Sequence, residues 1–120
     1  MVNTKALVCA AIMSTGLLLP ATGSAYTGND LDMWLSSHAR VVSGTGNAKD
    51  LENLDFLTGY VAGTYDALDV TGNLCAPNNV TLSQMIAAVS KEHKNSPEKW
   101  TENARGIVIV GLVRSFPCGK

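Results

Sequence analysis

The chain has 120 residues, 46% of them hydrophobic and 16% charged, with 11 Gly and 4 Pro. That is one domain's worth of sequence, too apolar for a disordered chain and too poor in Gly and Pro for a fibrous one. A formal charge of −1 lacks the basic excess of a nucleic-acid binder, and 6% aromatic content argues against a stacking platform for single strands.

The N-terminus reads as a secretory leader. Lys5 supplies a positive charge, residues 6–19 are mostly apolar, Pro20 breaks the run, and Gly23 and Ala25 are the small residues of a cleavage site. The apolar stretch is too short to span a bilayer, which takes about 20 residues. Cleavage after Ala25 separates residues 1–25 from a mature domain, residues 26–120, with no membrane attachment expected once the leader is gone. Lys5 and Cys9 leave with the leader, so the net charge becomes −2 and Cys75 and Cys118 remain. An even pair in an exported chain reads as a disulfide; the alternative is two free buried thiols. Closing so long a loop contributes about 4 kcal/mol in the chain-entropy view.

Four segments of the mature chain have helical spacing, and the fold class they predict is all-α: a small single-domain bundle of about four helices with one disulfide. The first spans about residues 30–42, capped by Asn29 or Asp30, with Leu31, Trp34, Leu35, His38, Val41 and Val42 on one face. The second spans about residues 48–70. Leu51, Leu54, Leu57, Val61, Tyr65 and Leu68 form its stripe, and Asp50, Glu52 and Asp55 crowd its start, where the dipole favours acids. Gly59, Gly63 and Ala67 make a row of small residues, which predicts that another backbone packs closely there.

The third segment starts at Leu82. Thr81 and Gln84 have the spacing of a capping box, with Val80 and Met85 as a hydrophobic staple. Leu82, Met85, Ile86, Val89 and His93 share its inner face. The fourth is predicted from Pro97 to about Ser115, with Ser96 as cap and Pro97 at the first helical position. Its run at residues 106–113 is apolar all round and reads as a central, enclosed helix.

Little in the sequence carries chemistry. There is no HExxH, phosphate loop or GxSxG. His38 and His93 fall on apolar faces, where a lone histidine is usually a satisfied core or interface residue. Neither stands at a metal-ligand offset from the cysteines. Asp66, beside Tyr65 near the apolar row, is read as structural. The expectation is a protein that works by binding, with no enzyme activity and no cofactor, catalytic residue or metal.

Three stretches taken together resemble the Rap/Tai family of periplasmic immunity proteins of bacterial type VI secretion. Residues 56–67 contain Gly59-Tyr60-Val61 with Gly63, Asp66 and Ala67, similar to the family's G-Y-[IV]-x-G-x-x-D-A. Residues 74–84 contain Cys75, Pro77, Val80, Thr81 and Gln84, similar to its C-x-P-x-x-V-T-x-x-Q. Phe116-Pro117-Cys118 matches its closing F-P-C. A further cysteine pair carried by many members is missing, its positions filled by residues such as His38 and Leu57.

The resemblance implies a small helical protein, often a homodimer. It implies a periplasmic location and a protein partner, a cognate peptidoglycan-hydrolase effector of the amidase type whose cleft it blocks sterically. The motif residues are then scaffold. The resemblance does not locate the partner surface; because binding residues favour loops on a rigid scaffold, it is assigned chiefly to loops 43–47 and 72–79, with Asn78 and Asn79 as contacts and one end of the domain supplying the interface. The competing reading is a general periplasmic helper, an acid-stress chaperone or envelope assembly factor; a weaker third is an orphan family member recruited to phage or conjugation functions.

Overall fold

The computed structural model describes residues 25–119, so Cys9 and all of the predicted leader except Ala25 lie outside the described residues. Among the described residues four α-helices follow one another: α1 (Gly28–Val42), α2 (Ala48–Val70), α3 (Leu82–Asn95) and α4 (Ala104–Ser115), with a 3-10 turn at Pro97–Lys99. Among the described residues no strand forms, and an isolated antiparallel bridge joins Thr27 to Asn103. None of the described helices is long and apolar enough to cross a membrane.

Local chemistry sets the helix starts. Thr27, not Asn29 or Asp30, caps α1; Asp30 is its box partner, accepting from the Thr27 backbone N–H at 2.7 Å. Asn47 and Asp50 make the same reciprocal arrangement at α2. At α3 the Gln84 side chain accepts from the Thr81 N–H at 2.8 Å, and the Thr81 hydroxyl accepts from the Gln84 N–H at 3.3 Å.

The fourth helix starts at Ala104 rather than at Pro97. The carbonyls that would continue a helix from Pro97 are engaged elsewhere. Trp100 O accepts from the Asn29 N–H (2.8 Å) and Glu102 O from the Gly28 N–H (2.9 Å), while the Ala104 N–H donates to Tyr26 O (2.8 Å). The chain therefore turns back on the start of α1, and Asn103 caps α4 through the Gly106 N–H at 3.2 Å. Gly28 is required at this crossing, because a Cβ there would lie 2.6 Å from the Trp100 Cα.

The core is built from Leu31 and Trp34 of α1, Leu57 and Val61 of α2, Ile86 and Val89 of α3, and Ala104, Ile107, Val108 and Leu112 of α4. Tyr26, Trp34, Phe56 and Tyr60 add an aromatic cluster between α1 and α2, with ring centroids 4.8–6.0 Å apart. Helix α4 is less enclosed than its composition predicts: Ile109 is exposed and Val110 and Val113 are half-buried.

The small-residue row does not pack as predicted. Nothing in the described chain comes within 4 Å of a Cβ placed at Gly59 or Gly63. With Leu57 and Val61 turned to the core, the 100° step of the helix sends Gly59, Gly63 and Ala67 to solvent. The close approach is at Gly111, where a Cβ would meet Glu92 Cβ at 3.0 Å and Ala88 O at 3.1 Å, so α3 and α4 touch almost backbone to backbone.

Candidate functional site

The motif residues divide between packed positions, such as Tyr60 and Phe116, and exposed ones, such as Gly59, Gly63 and Asp66. Cys75 and Cys118 are joined by a disulfide, and the Cys75 N–H donates to Phe116 O at 3.0 Å. Phe116 packs edge-on against Tyr65, centroids 6.1 Å apart, so the closing motif fastens to the far end of α2. Tyr60 belongs to the aromatic cluster, and its carbonyl accepts from the Thr64 hydroxyl at 2.7 Å. Burial, with the Asp69 and Asp66 carboxylates nearby, pushes the Tyr65 phenol up from its usual range. Asp66 itself is exposed on α2, and Pro77 and Pro117 are exposed outside the helices.

Asn78 and Asn79 are exposed, as expected of a loop surface. Loops 43–47 and 72–79, however, flank opposite ends of α2. A helix of 23 residues is about 34 Å long, so one end of the domain cannot present both loops.

A concavity lies elsewhere, between α1 and α3. It is an open groove of about 710 Å³. Leu35, Ala39 and Val42 line it from α1, Ile86 and Ala87 from α3, and Trp100 from the turn that follows. Its size falls within the range of ordinary ligand pockets. His38, one of the two histidines of the apolar faces, is half-buried on its wall.

The other, His93, is 2% exposed and also lines the groove. Its ring stacks on Trp100 with centroids 4.4 Å apart and planes 9° apart. The Trp100 Nε1–H donates to the His93 carbonyl at 2.9 Å, which fixes both residues. The expectation of a satisfied core histidine fails here. His93 Nε2 is buried with no hydrogen-bond partner, and Asp32 Oδ1 stands 3.7 Å away, close enough for charge attraction but beyond a hydrogen bond. Burial lowers the His93 pKa below that of a free imidazole. Asp32 and a contact to the Gly28 backbone act against that shift, and Lys94 acts with it. The ring is therefore held neutral.

The groove was not legible from the helix patterns. Each helix shows its own apolar face, but a cleft depends on how two such faces are angled. The available signal was the polar composition of those faces: Ser36 and His38 on α1, and Ser90 and His93 on α3, line the groove where a closed core would carry apolar residues.

Among the described residues no group of three or more His, Cys, Asp or Glu side chains could hold a metal ion. What the surface offers is shape and hydrogen bonding. A family model described as Rap1a immunity proteins matches residues 27–118. Neither curated proteins nor solved structures give a significant match.

Proposed function

Because the chain belongs to the Rap1a immunity protein family, we propose that it protects its producer in the periplasm by binding a cognate type VI effector, a peptidoglycan amidase, and covering that enzyme's cleft. The carrying observation is the family match, which spans residues 27–118 and so takes in every described helix. Immunity proteins act by binding their effector rather than by catalysis. A leader cleaved after Ala25 would deliver the chain to an oxidising compartment, and the Cys75–Cys118 bridge is the kind of staple that forms there.

The mechanism is occlusion. A stable interface needs about 800 Å² from each partner. The domain supplies a rigid scaffold for one, because its helix starts are capped and its chain end is tied to α2. Nothing has to react: the effector's cleft is filled, substrate cannot enter, and dissociation restores activity.

The test is co-expression with the small hydrolases encoded beside this gene. Co-purification with one of them, together with loss of its activity on isolated cell wall, is the expected result. Failure to bind or inhibit any neighbouring hydrolase would remove the amidase assignment.

A further inference from the structure

We propose that the Cys75–Cys118 bridge is a redox-sensitive latch. Its reduction by a dithiol releases loop residues 75–79 and the chain end from each other while the four helices stay folded, so the loop is set for binding in the oxidised protein alone. The consequence for effector binding rests on the immunity reading above, with this loop as a contact surface.

The bridge is reachable and has little to back it up. Both cysteines are exposed, so a thiolate in solution can attack, and exposed disulfides are among the labile ones. Among the described residues one backbone hydrogen bond, from the Cys75 N–H to Phe116 O at 3.0 Å, runs between the two segments that the bridge joins. The bond from the Val80 N–H to Pro77 O closes within the loop's own segment. Residues 72–79 carry no charged side chain, so no ion pair can take over.

The helices on either side do not depend on the bridge. Helix α2 closes on itself at Thr71, whose N–H and hydroxyl both donate to Ala67 O. Helix α3 starts from the Thr81–Gln84 box, which is complete within its own first turn. The ten buried residues of the core cluster all lie in the helices. Leu74 is buried, but it follows Asn73, whose N–H donates to Leu68 O at 2.8 Å and so ties it to the end of α2. Phe116 is held by its N–H to Leu112 O and by its contact with Tyr65. What the bridge alone fixes is residues 75–79 and 117–119, and opening there is local.

The exchange balances within sulfur chemistry. One thiolate of the dithiol attacks a bridge sulfur, and the other cysteine leaves as a thiolate that takes up a proton. The second thiol of the dithiol then displaces the mixed disulfide. The protein gains two electrons and two protons, and the dithiol becomes a disulfide.

The experiment uses the full chain, exported and purified in its oxidised form, with dithiothreitol as the dithiol. Millimolar dithiothreitol should reduce the bridge without denaturant. The amide NMR signals of Cys75, Asn78, Asn79 and Cys118 should then move to random-coil positions. Those of Leu57, Val89 and Val108, and the helical circular dichroism, should stay as in the oxidised protein. A variant carrying both Cys75→Ser and Cys118→Ser should match the reduced spectrum and inhibit the effector at least tenfold less well, with no reductant in the assay. Reoxidation of the wild type should restore the original spectrum and full inhibition.

Loss of the helical signal on reduction would overturn the latch and make the bridge a staple of the whole fold. Loop signals that do not move would overturn it too, as would a bridge that dithiothreitol reduces only in denaturant. Released loop signals combined with full inhibition by the double variant would overturn the loop as the gated contact surface. If the signals move but the oxidised wild type inhibits no neighbouring hydrolase, the immunity reading fails and the latch stands.

Discussion

Arg40 holds the buried carboxylate of Asp50 with two donors, Nε at 3.1 Å and Nη2 at 2.6 Å, and so fastens the end of α1 to the start of α2. The same carboxylate accepts the Asn47 N–H of its own capping box at 3.1 Å. Ser37 sits inside the network, accepting from Arg40 Nη2 and from Asn53 Nδ2. The Arg40 hydrogen bonds, followed by the Asn47 N–H, hold the Asp50 carboxyl well below the usual carboxylate range. A carboxylate depressed in the folded state adds stability above its unfolded pKa and loses it as pH falls through its folded value. Arg40→Met should therefore lower the melting temperature at pH 7 by roughly 5–10 °C for a domain of this size. The difference from wild type should narrow steadily as the buffer is taken from pH 5 towards pH 2. A difference that stays constant across that range would show that Arg40 acts by packing alone.

The Cys75–Cys118 bridge joins residues 43 apart in sequence and fixes the segment before α3 to the end of the chain. Leu74, beside Cys75, is 2% exposed, so the staple also holds a core side chain in place. Cys75→Ser should lower the melting temperature by roughly 15 °C or more, from a loop-closure contribution of about 4 kcal/mol. It should leave Cys118, which is exposed, open to alkylation. Complete reaction of the unreduced wild-type protein with a thiol reagent would contradict the bridge.

Patterns contained within one helix were legible in the sequence. Thr81 and Gln84 are three residues apart, so their capping box needs no information from elsewhere in the fold, and the limits of α2 follow from Asn47 and Thr71 in the same way. Patterns that depend on a second element were not. Ser96-Pro97 is a sound helix start, but the Trp100 and Glu102 carbonyls accept from the beginning of α1, and that contact cuts the segment to a short turn. Leu51 continues the α2 stripe on paper yet is 53% exposed, because Asp50 and Asn53 take the inward positions to meet Arg40 and Ser37. The groove belongs to the same class, since no property of α1 or α3 alone states the space between them.

The glycines of the family motif give a direct contrast with those of the crossings. Gly59 and Gly63 lie inside α2 with nothing within 4 Å of a built Cβ. An interior glycine costs about 1 kcal/mol relative to alanine, so Gly63→Ala should raise the melting temperature by roughly 4–8 °C. Gly28→Ala should do the opposite and severely destabilise the fold, because the new methyl would meet the Trp100 backbone at 2.6 Å and backbone cannot rotate away. Thermal melts of the two variants decide the point. Weaker inhibition of the effector by a stabilised Gly63→Ala would mark the outer face of α2 as a second contact surface.

His93 sets the response to mild acid. Its pKa is lowered in the fold, first by burial and then by Lys94, and is only partly restored by Asp32 and the Gly28 backbone. A histidine whose folded value lies below its unfolded one binds fewer protons folded than unfolded, so stability falls as pH drops through about 6.5. The loss ends once the pH is below the folded value as well. Denaturant melts between pH 7.5 and pH 5 should therefore show the midpoint declining for wild type. His93→Phe should flatten that decline while keeping the ring over Trp100. Equal slopes for the wild type and the variant would show that the decline arises from other groups.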